Sequence, residues 1–274
     1  MENKQFEWIS FDNLKLFAQV WKPSGETKAV INLVHGMGEH SGRYEQWATK
    51  LTEQGFAVVS FDLRGHGRSD GLLGHSPAYH ALMNDIDLLF AKQKELFPSQ
   101  PVFLYGHSLG GNLVLNYVLR RVPNITGVIA TSPWLRLNMQ PPKVLLFFAQ
   151  LMRSIAPALS QNTNLDASFI SRDANEVTRY KSDKLIHGKI TVSMFLSIVE
   201  AGKWALNNAH LLTVKSLIMH GTGDKITSYK ASQEFVEKSQ NYTELKLWSD
   251  AYHELHHEPE RQQVFDYLVN WLKI

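Results

Sequence analysis

The apolar run Val102 to Tyr105 passes without a break into Gly106-His107-Ser108-Leu109-Gly110, and the chain then reads as helix as far as Arg121. A Gly-x-Ser-x-Gly segment between a buried strand and a helix is the pattern of a nucleophile elbow. It is a strained turn that exposes the serine hydroxyl and points free helix N–H groups toward developing negative charge. A plain tight turn would explain the glycines alone; the flanking strand and helix favour the elbow.

The remainder of the chain supplies the setting for that junction. Phe6 to Trp21 roughly alternates apolar and polar residues around Asp12-Asn13, which predicts an opening β-hairpin. Ala29 to Val34 and Phe56 to Phe61 are continuous apolar runs, as in strands buried on both faces. Gly127 to Thr131, Ser216 to His220 and Glu244 to Trp248 add three more strands. Helical spacing appears at Tyr44 to Gln54, Leu82 to Phe97, Tyr229 to Ser239 and Glu260 to Leu272. Alternation of this kind predicts an α/β fold whose parallel sheet carries helices on both faces. From Trp134 to Asn208 helical patterns follow one another with no buried strand between them. The expected organisation is therefore a core of residues 1–133 and 209–274 with an inserted helical cap at 134–208.

Composition narrows the chemistry. With no cysteine, thiol nucleophiles and Cys-based zinc sites are excluded. A net charge of +2 without a Lys/Arg run argues against nucleic acid as a partner. A serine hydroxyl is a weak nucleophile, so Ser108 needs a histidine base and a carboxylate to orient it. The order that accompanies this elbow is nucleophile, acid, histidine, which leaves three of the 12 histidines: His253, His256 and His257. His253 comes first after the last strand and is the base expected. Asp224, in the loop after the strand at Leu217 to His220, is the expected acid, with Asp250 as a weaker rival too close to His253. The oxyanion donors expected are the backbone N–H groups of Leu109 and of Met37, the latter in the glycine-rich turn His35-Gly36-Met37-Gly38. Asp62 to Ser69 holds a single histidine, and its Asp and Arg are expected to satisfy each other, so it reads as structural; no metal or cofactor is expected.

Three segments carry a resemblance. His35-Gly36-Met37-Gly38-Glu39-His40-Ser41-Gly42-Arg43-Tyr44, Asp62 to Ser69, and Gly106 to Gly111 resemble monoacylglycerol lipases and related lysophospholipases, over nearly the whole chain. Gly223-Asp224 and Tyr252-His253-Glu254-Leu255-His256 are similar to the acid and histidine segments of that family. The resemblance implies an α/β-hydrolase fold, a mixed sheet of eight strands under the cap, an apolar tunnel for an acyl chain and a polar patch for glycerol. Glu39, Arg43, His107 and His256 match the patch positions.

Peptidase-like and general esterase members share these motifs, so a general carboxylesterase or an S33-type peptidase stands as the alternative. Dehalogenases and epoxide hydrolases use a carboxylate at the elbow and are disfavoured by Ser108. A non-catalytic binding protein is disfavoured by the intact Ser, Asp and His. The apolar cap segment Val144 to Ala149 fits either a helix touching a membrane surface or an ordinary cap core. Met1 to Ser10 lacks the basic start and apolar run of a signal peptide, so a cytoplasmic location is expected, with transient membrane contact through the cap.

Overall fold

The computed structural model describes residues 1–239 and 242–273. Eight strands form one sheet: β1 (Glu2–Ile9), β2 (Lys15–Lys22), β3 (Ala29–Val34), β4 (Phe56–Phe61), β5 (Val102–His107), β6 (Gly127–Thr131), and two later strands, Ser216–Gly221 and Thr243–Trp248. The first two pair antiparallel about the turn at Asn13, whose φ of 64° is the left-handed conformation that asparagine tolerates. From β4 onward every neighbouring pair across the sheet is parallel.

Helices α1 (Glu45–Glu53), α2 (Tyr79–Leu96) and α3 (Leu109–Arg121) follow β3, β4 and β5 in turn. After β6 come α4 (Lys143–Ile155), β7 (Ser160–Asn162), α5 (Ala174–Ser182), β8 (Lys189–Thr191) and α6 (Val192–Asn208). β7 and β8 form a small antiparallel ribbon. The chain then returns to the large sheet as β9 (Ser216–Gly221), α7 (Tyr229–Lys238), β10 (Thr243–Trp248) and α8 (Arg261–Leu272).

Two apolar layers sandwich the sheet. On one face Trp47 and Leu51 of α1 and Phe265 and Leu268 of α8 pack on Ile31, Leu33 and Phe103. On the other, Leu82 and Ile86 of α2, Leu113 and Leu115 of α3, and Phe235 of α7 pack on Val30, Val34 and Leu104. Met194, Ile198, Ala205 and Leu206 of α6 join this second layer. The helical run of the middle segment thus does not stand wholly above the sheet. Asn112 and Asn116 of α3 donate to the carbonyls of Ile198 and Ala201, which moors α6 on the core.

The segment from Asp62 to Ser69 is bonded differently from the expected Asp–Arg pair. Asp62 accepts from the backbone N–H and hydroxyl of Ser41 and from the Arg68 N–H, while the Arg64 guanidinium turns to Asp85 and Asp12. Both aspartates come from other elements, so local sequence could not reveal them.

The tightest approach lies under the elbow. A Cβ on Gly110 would collide with the Val34 carbonyl oxygen, and one on Gly106 with the Gly110 carbonyl oxygen. Gly110→Ala is therefore expected to lower the denaturant midpoint by the equivalent of about 1–3 kcal/mol or more, read by urea unfolding. An unchanged midpoint would mean that β3 and α3 can part without cost.

Candidate active site

All the loops that matter leave the carboxyl ends of the parallel strands β3, β5, β6, β9 and β10. Ser108 sits between β5 and α3 with φ 52° and ψ −112°, a strained conformation for a residue with a side chain. Its N–H donates to the Thr131 carbonyl (2.9 Å), and its own carbonyl accepts from Asn112 (3.0 Å) and Trp134 (2.9 Å), so the turn is held from three sides. Leu109 is the first residue of α3, where backbone N–H groups have no acceptor within the helix. Among the described residues no loop or turn carbonyl accepts the Met37 N–H.

A buried carboxylate stands behind His253. Asp224 Oδ2 accepts from His253 Nδ1 (2.7 Å), from His220 Nε2 (3.0 Å) and from the Thr227 hydroxyl (2.8 Å). Oδ1 takes the backbone N–H groups of Ile226 (2.7 Å) and Thr227 (3.0 Å). Burial would raise the Asp224 pKa, but these donors and the His253 charge hold it well below the ordinary carboxylate range. For His253 burial opposes protonation, yet the adjacent Asp224 carboxylate outweighs it and the imidazole pKa is raised. The His253 carbonyl is pinned by the Ser132 hydroxyl (2.7 Å).

Other histidines here are neutral by environment. His35 donates from Nδ1 to the Gly36 carbonyl (2.7 Å) and accepts the Leu63 N–H at Nε2 (2.8 Å), and burial pushes its pKa down to about 3. His107 pairs with the Thr131 hydroxyl (3.0 Å); burial first, and then the His253 charge, depress it.

Ser108 and His253 open into one cavity of about 250 Å³. Trp134, Leu137, Leu165, Ile190, Phe195 and Ile226 give it an apolar wall; Glu39, Gln161, Asn162, Tyr180 and His187 give it polar edges. His187, from the segment between α5 and β8, donates its N–H to the Gly38 carbonyl (2.9 Å), bringing the middle segment down onto the loop that holds Met37.

A family profile for serine aminopeptidases of the S33 type matches residues 25–260. The chain belongs to this family. It is 33% identical to a human monoglyceride lipase, covering 96% of this chain and 88% of that protein. It is 35% identical to an uncharacterized abhydrolase domain-containing protein of Dictyostelium discoideum, of whose length it spans only 28%. Among solved structures, the monoacylglycerol lipase of Paleococcus ferrophilus superposes with a TM-score of 0.87 at 32% identity, covering 94% of this chain and 98% of that one. The protein is a monoacylglycerol lipase-like α/β-hydrolase.

The structure brings Ser108, His253, Met37, Glu39 and His107 to one cavity, with Asp224 behind His253. Leu109 is buried in the elbow wall. Among the described residues Ser108 Oγ makes no hydrogen bond, and the His253 bond to Asp224 runs through Nδ1. Two patch residues do not face the cavity. Arg43 and His256 line a separate space of about 30 Å³ with Trp47, Lys50 and His257. The Arg43 guanidinium is bonded behind the cavity-lining carboxylates of Glu39 and Glu254, and the His256 ring stacks on Tyr44 with centroids 4.8 Å apart. Asp250 occupies an exposed turn with φ 57°, and among the described residues its carboxylate bonds no histidine.

Three contributors were not anticipated: His220, Thr227 and Glu254. His220 sits four residues before Asp224 and shares its Oδ2, so the spacing was a usable signal. Glu254 adjoins His253 in sequence, but Arg43, which bonds both of its oxygens, lies 211 residues away.

The electrostatics can be read directly. Histidine NMR is expected to show His253 titrating above the ordinary 6.5, and Asp224→Asn is expected to bring that titration down, because burial then acts without its counter-charge. Titration at or below 6.5 in the unaltered protein would contradict the arrangement.

Proposed function

We propose that the protein hydrolyses monoacylglycerols through an acyl-enzyme on Ser108, with His253 as base and Asp224 as its orienting acid. The observation that carries this reading is the 2.7 Å bond from His253 Nδ1 to a five-donor carboxylate, beside a serine held at positive φ in the same cavity. His253 Nε2 takes the Ser108 proton as Oγ attacks the ester carbonyl. The oxygen then bearing negative charge turns to the N–H groups of Met37 and Leu109. Collapse expels the alcohol with the proton from His253. Water repeats the sequence from the other side and releases the fatty acid.

The choice of lipid rests on shape and likeness. The apolar wall accepts one acyl chain, and relatives named as monoglyceride lipases match this chain over nearly all its length. Glu39 and His107 border the cavity on its polar side, where the alcohol portion would lie. The peptidase activity for which the S33 family is named is disfavoured at this site, since both carboxylates beside His253 on the polar side, Glu39 and Glu254, are already paired with Arg43.

Access would be from a lipid surface. No helix among the described residues is long and apolar enough to cross a membrane. No residue of α4 is buried, and Val144, Leu145, Phe147, Phe148, Leu151 and Ile155 all stand exposed. An amphipathic helix with this face suits transient contact with the acyl region of a membrane.

Ser108→Ala and His253→Ala are each expected to cut hydrolysis by about 10³-fold or more without unfolding the protein. Monoacylglycerols are expected to be cleaved faster than triacylglycerols. Across a chain-length series kcat/KM should climb, each buried methylene contributing about 0.8 kcal/mol, and then level off. A flat dependence on chain length, or preferential cleavage of aminoacyl p-nitroanilides, would overturn the lipid assignment.

A further inference from the structure

The space between the Met37 loop and the His253 loop is filled by charge. Arg43 Nη1 donates to Glu39 Oε2 (2.7 Å) and to Glu254 Oε1 (2.6 Å), and Nη2 donates to Glu254 Oε2 (2.7 Å). All three side chains are buried, at 7%, 3% and 4% exposure. His257 Nδ1 closes the group on Glu254 Oε2 (2.7 Å). The Tyr180 ring covers the guanidinium, 4.9 Å from centroid to Cζ. At its far end Glu39 Oε1 accepts the Gly36 N–H (2.6 Å) and the Tyr44 hydroxyl (2.8 Å).

We propose that Glu254 and Arg43 are positioning residues whose buried bridge to Glu39 sets the spacing between the oxyanion loop at Met37 and the catalytic base at His253. The inference rests on the Ser108, Asp224 and His253 reading. One end of the bridge grips Gly36, next to Met37; the other is the residue that follows His253. Both loops must hold their groups to a fraction of an ångström for acyl transfer, and a bidentate guanidinium–carboxylate pair supplies that rigidity in a way no single hydrogen bond does.

Charge works in the same direction. Two carboxylates share one guanidinium, and both Glu254 and Glu39 act as a surplus of negative charge that raises the His253 pKa. The charged and titratable groups around that imidazole are Asp224 with His220 behind it, His107, Glu39, Glu254, Arg43 and His257. Positive charge arriving on His253 during attack is favoured by this surplus. Direct recognition of the substrate alcohol is the competing role. Arg43 lies outside the cavity with both terminal nitrogens engaged, while Glu254 borders the cavity with its carboxylate already bonded to Arg43 and His257.

The test compares Glu254→Gln, Arg43→Lys and the double variant with the unaltered chain, on a monoacylglycerol and on p-nitrophenyl butyrate. Readouts are kcat, KM, the pH profile of kcat/KM and thermal unfolding. Glu254→Gln is expected to lower kcat roughly 10- to 100-fold on both esters with KM within about twofold. Its acid limb should move to lower pH, because a negative charge facing the imidazole is gone. Arg43→Lys keeps the charge but loses the fork; it should lower kcat on both esters and leave the acid limb in place. The double variant should be no slower than the slower single one. A KM increase confined to the monoacylglycerol, with kcat unchanged, would overturn the proposal in favour of alcohol binding. Unchanged kcat in both single variants would overturn it outright, and if Glu254→Gln does not fold, the kcat of Arg43→Lys decides. Ser108→Ala runs alongside: turnover like that of the unaltered chain there would defeat the underlying mechanism and not the bridge.

Discussion

Everything at this site hangs on the close approach of Gly110 to the end of β3. That approach sets α3 directly behind the strand and forces Ser108 into positive φ. It also brings the free N–H of Leu109 beside the glycine-rich loop that follows Val34. A side chain at either glycine would separate strand from helix and move the serine out of the cavity. The strain at Ser108 is borne by backbone bonds to Thr131 at the end of β6, to Asn112 of α3 and to Trp134.

Around this geometric constraint the protein distributes charge unevenly. His35, His107 and His256 are buried where burial outweighs every neighbour, and all three are held neutral. His253 is equally buried but lies 2.7 Å from Asp224, and that carboxylate, with Glu254 and Glu39 adding to it, reverses the sign. Asp224 can stay ionised in the interior because five donors surround it. A buried charge so compensated costs little to keep and much to disturb. The site therefore contains one imidazole ready to accept a proton among several that are not.

What could be read from the sequence was local. The elbow, the strands on either side and the loops bearing Asp224 and His253 are encoded by short apolar runs and glycines, and the structure places those residues together. The pairing of Arg64 with Asp85 of α2, and of Arg43 with Glu254, depends on elements that meet only in the folded chain. No spacing rule reaches across 211 residues. The same limit explains α6, whose helical pattern was visible but whose packing against α3 was not. It also explains Arg43 and His256, which motif position assigned to the glycerol patch and which the fold sets just behind the cavity-lining Glu39, Glu254 and His107.

The central claim is that Ser108 takes the acyl group while Met37 and Leu109 receive the oxyanion. A crystal structure of the protein after reaction with a long-chain fluorophosphonate tests both halves at once. The account predicts phosphorus bonded to Ser108 Oγ, with the phosphoryl oxygen about 2.7–3.1 Å from the N–H nitrogens of Met37 and Leu109 and the alkyl chain along Trp134, Ile190 and Phe195. An adduct on any other residue, or a phosphoryl oxygen pointing away from both N–H groups, would contradict it.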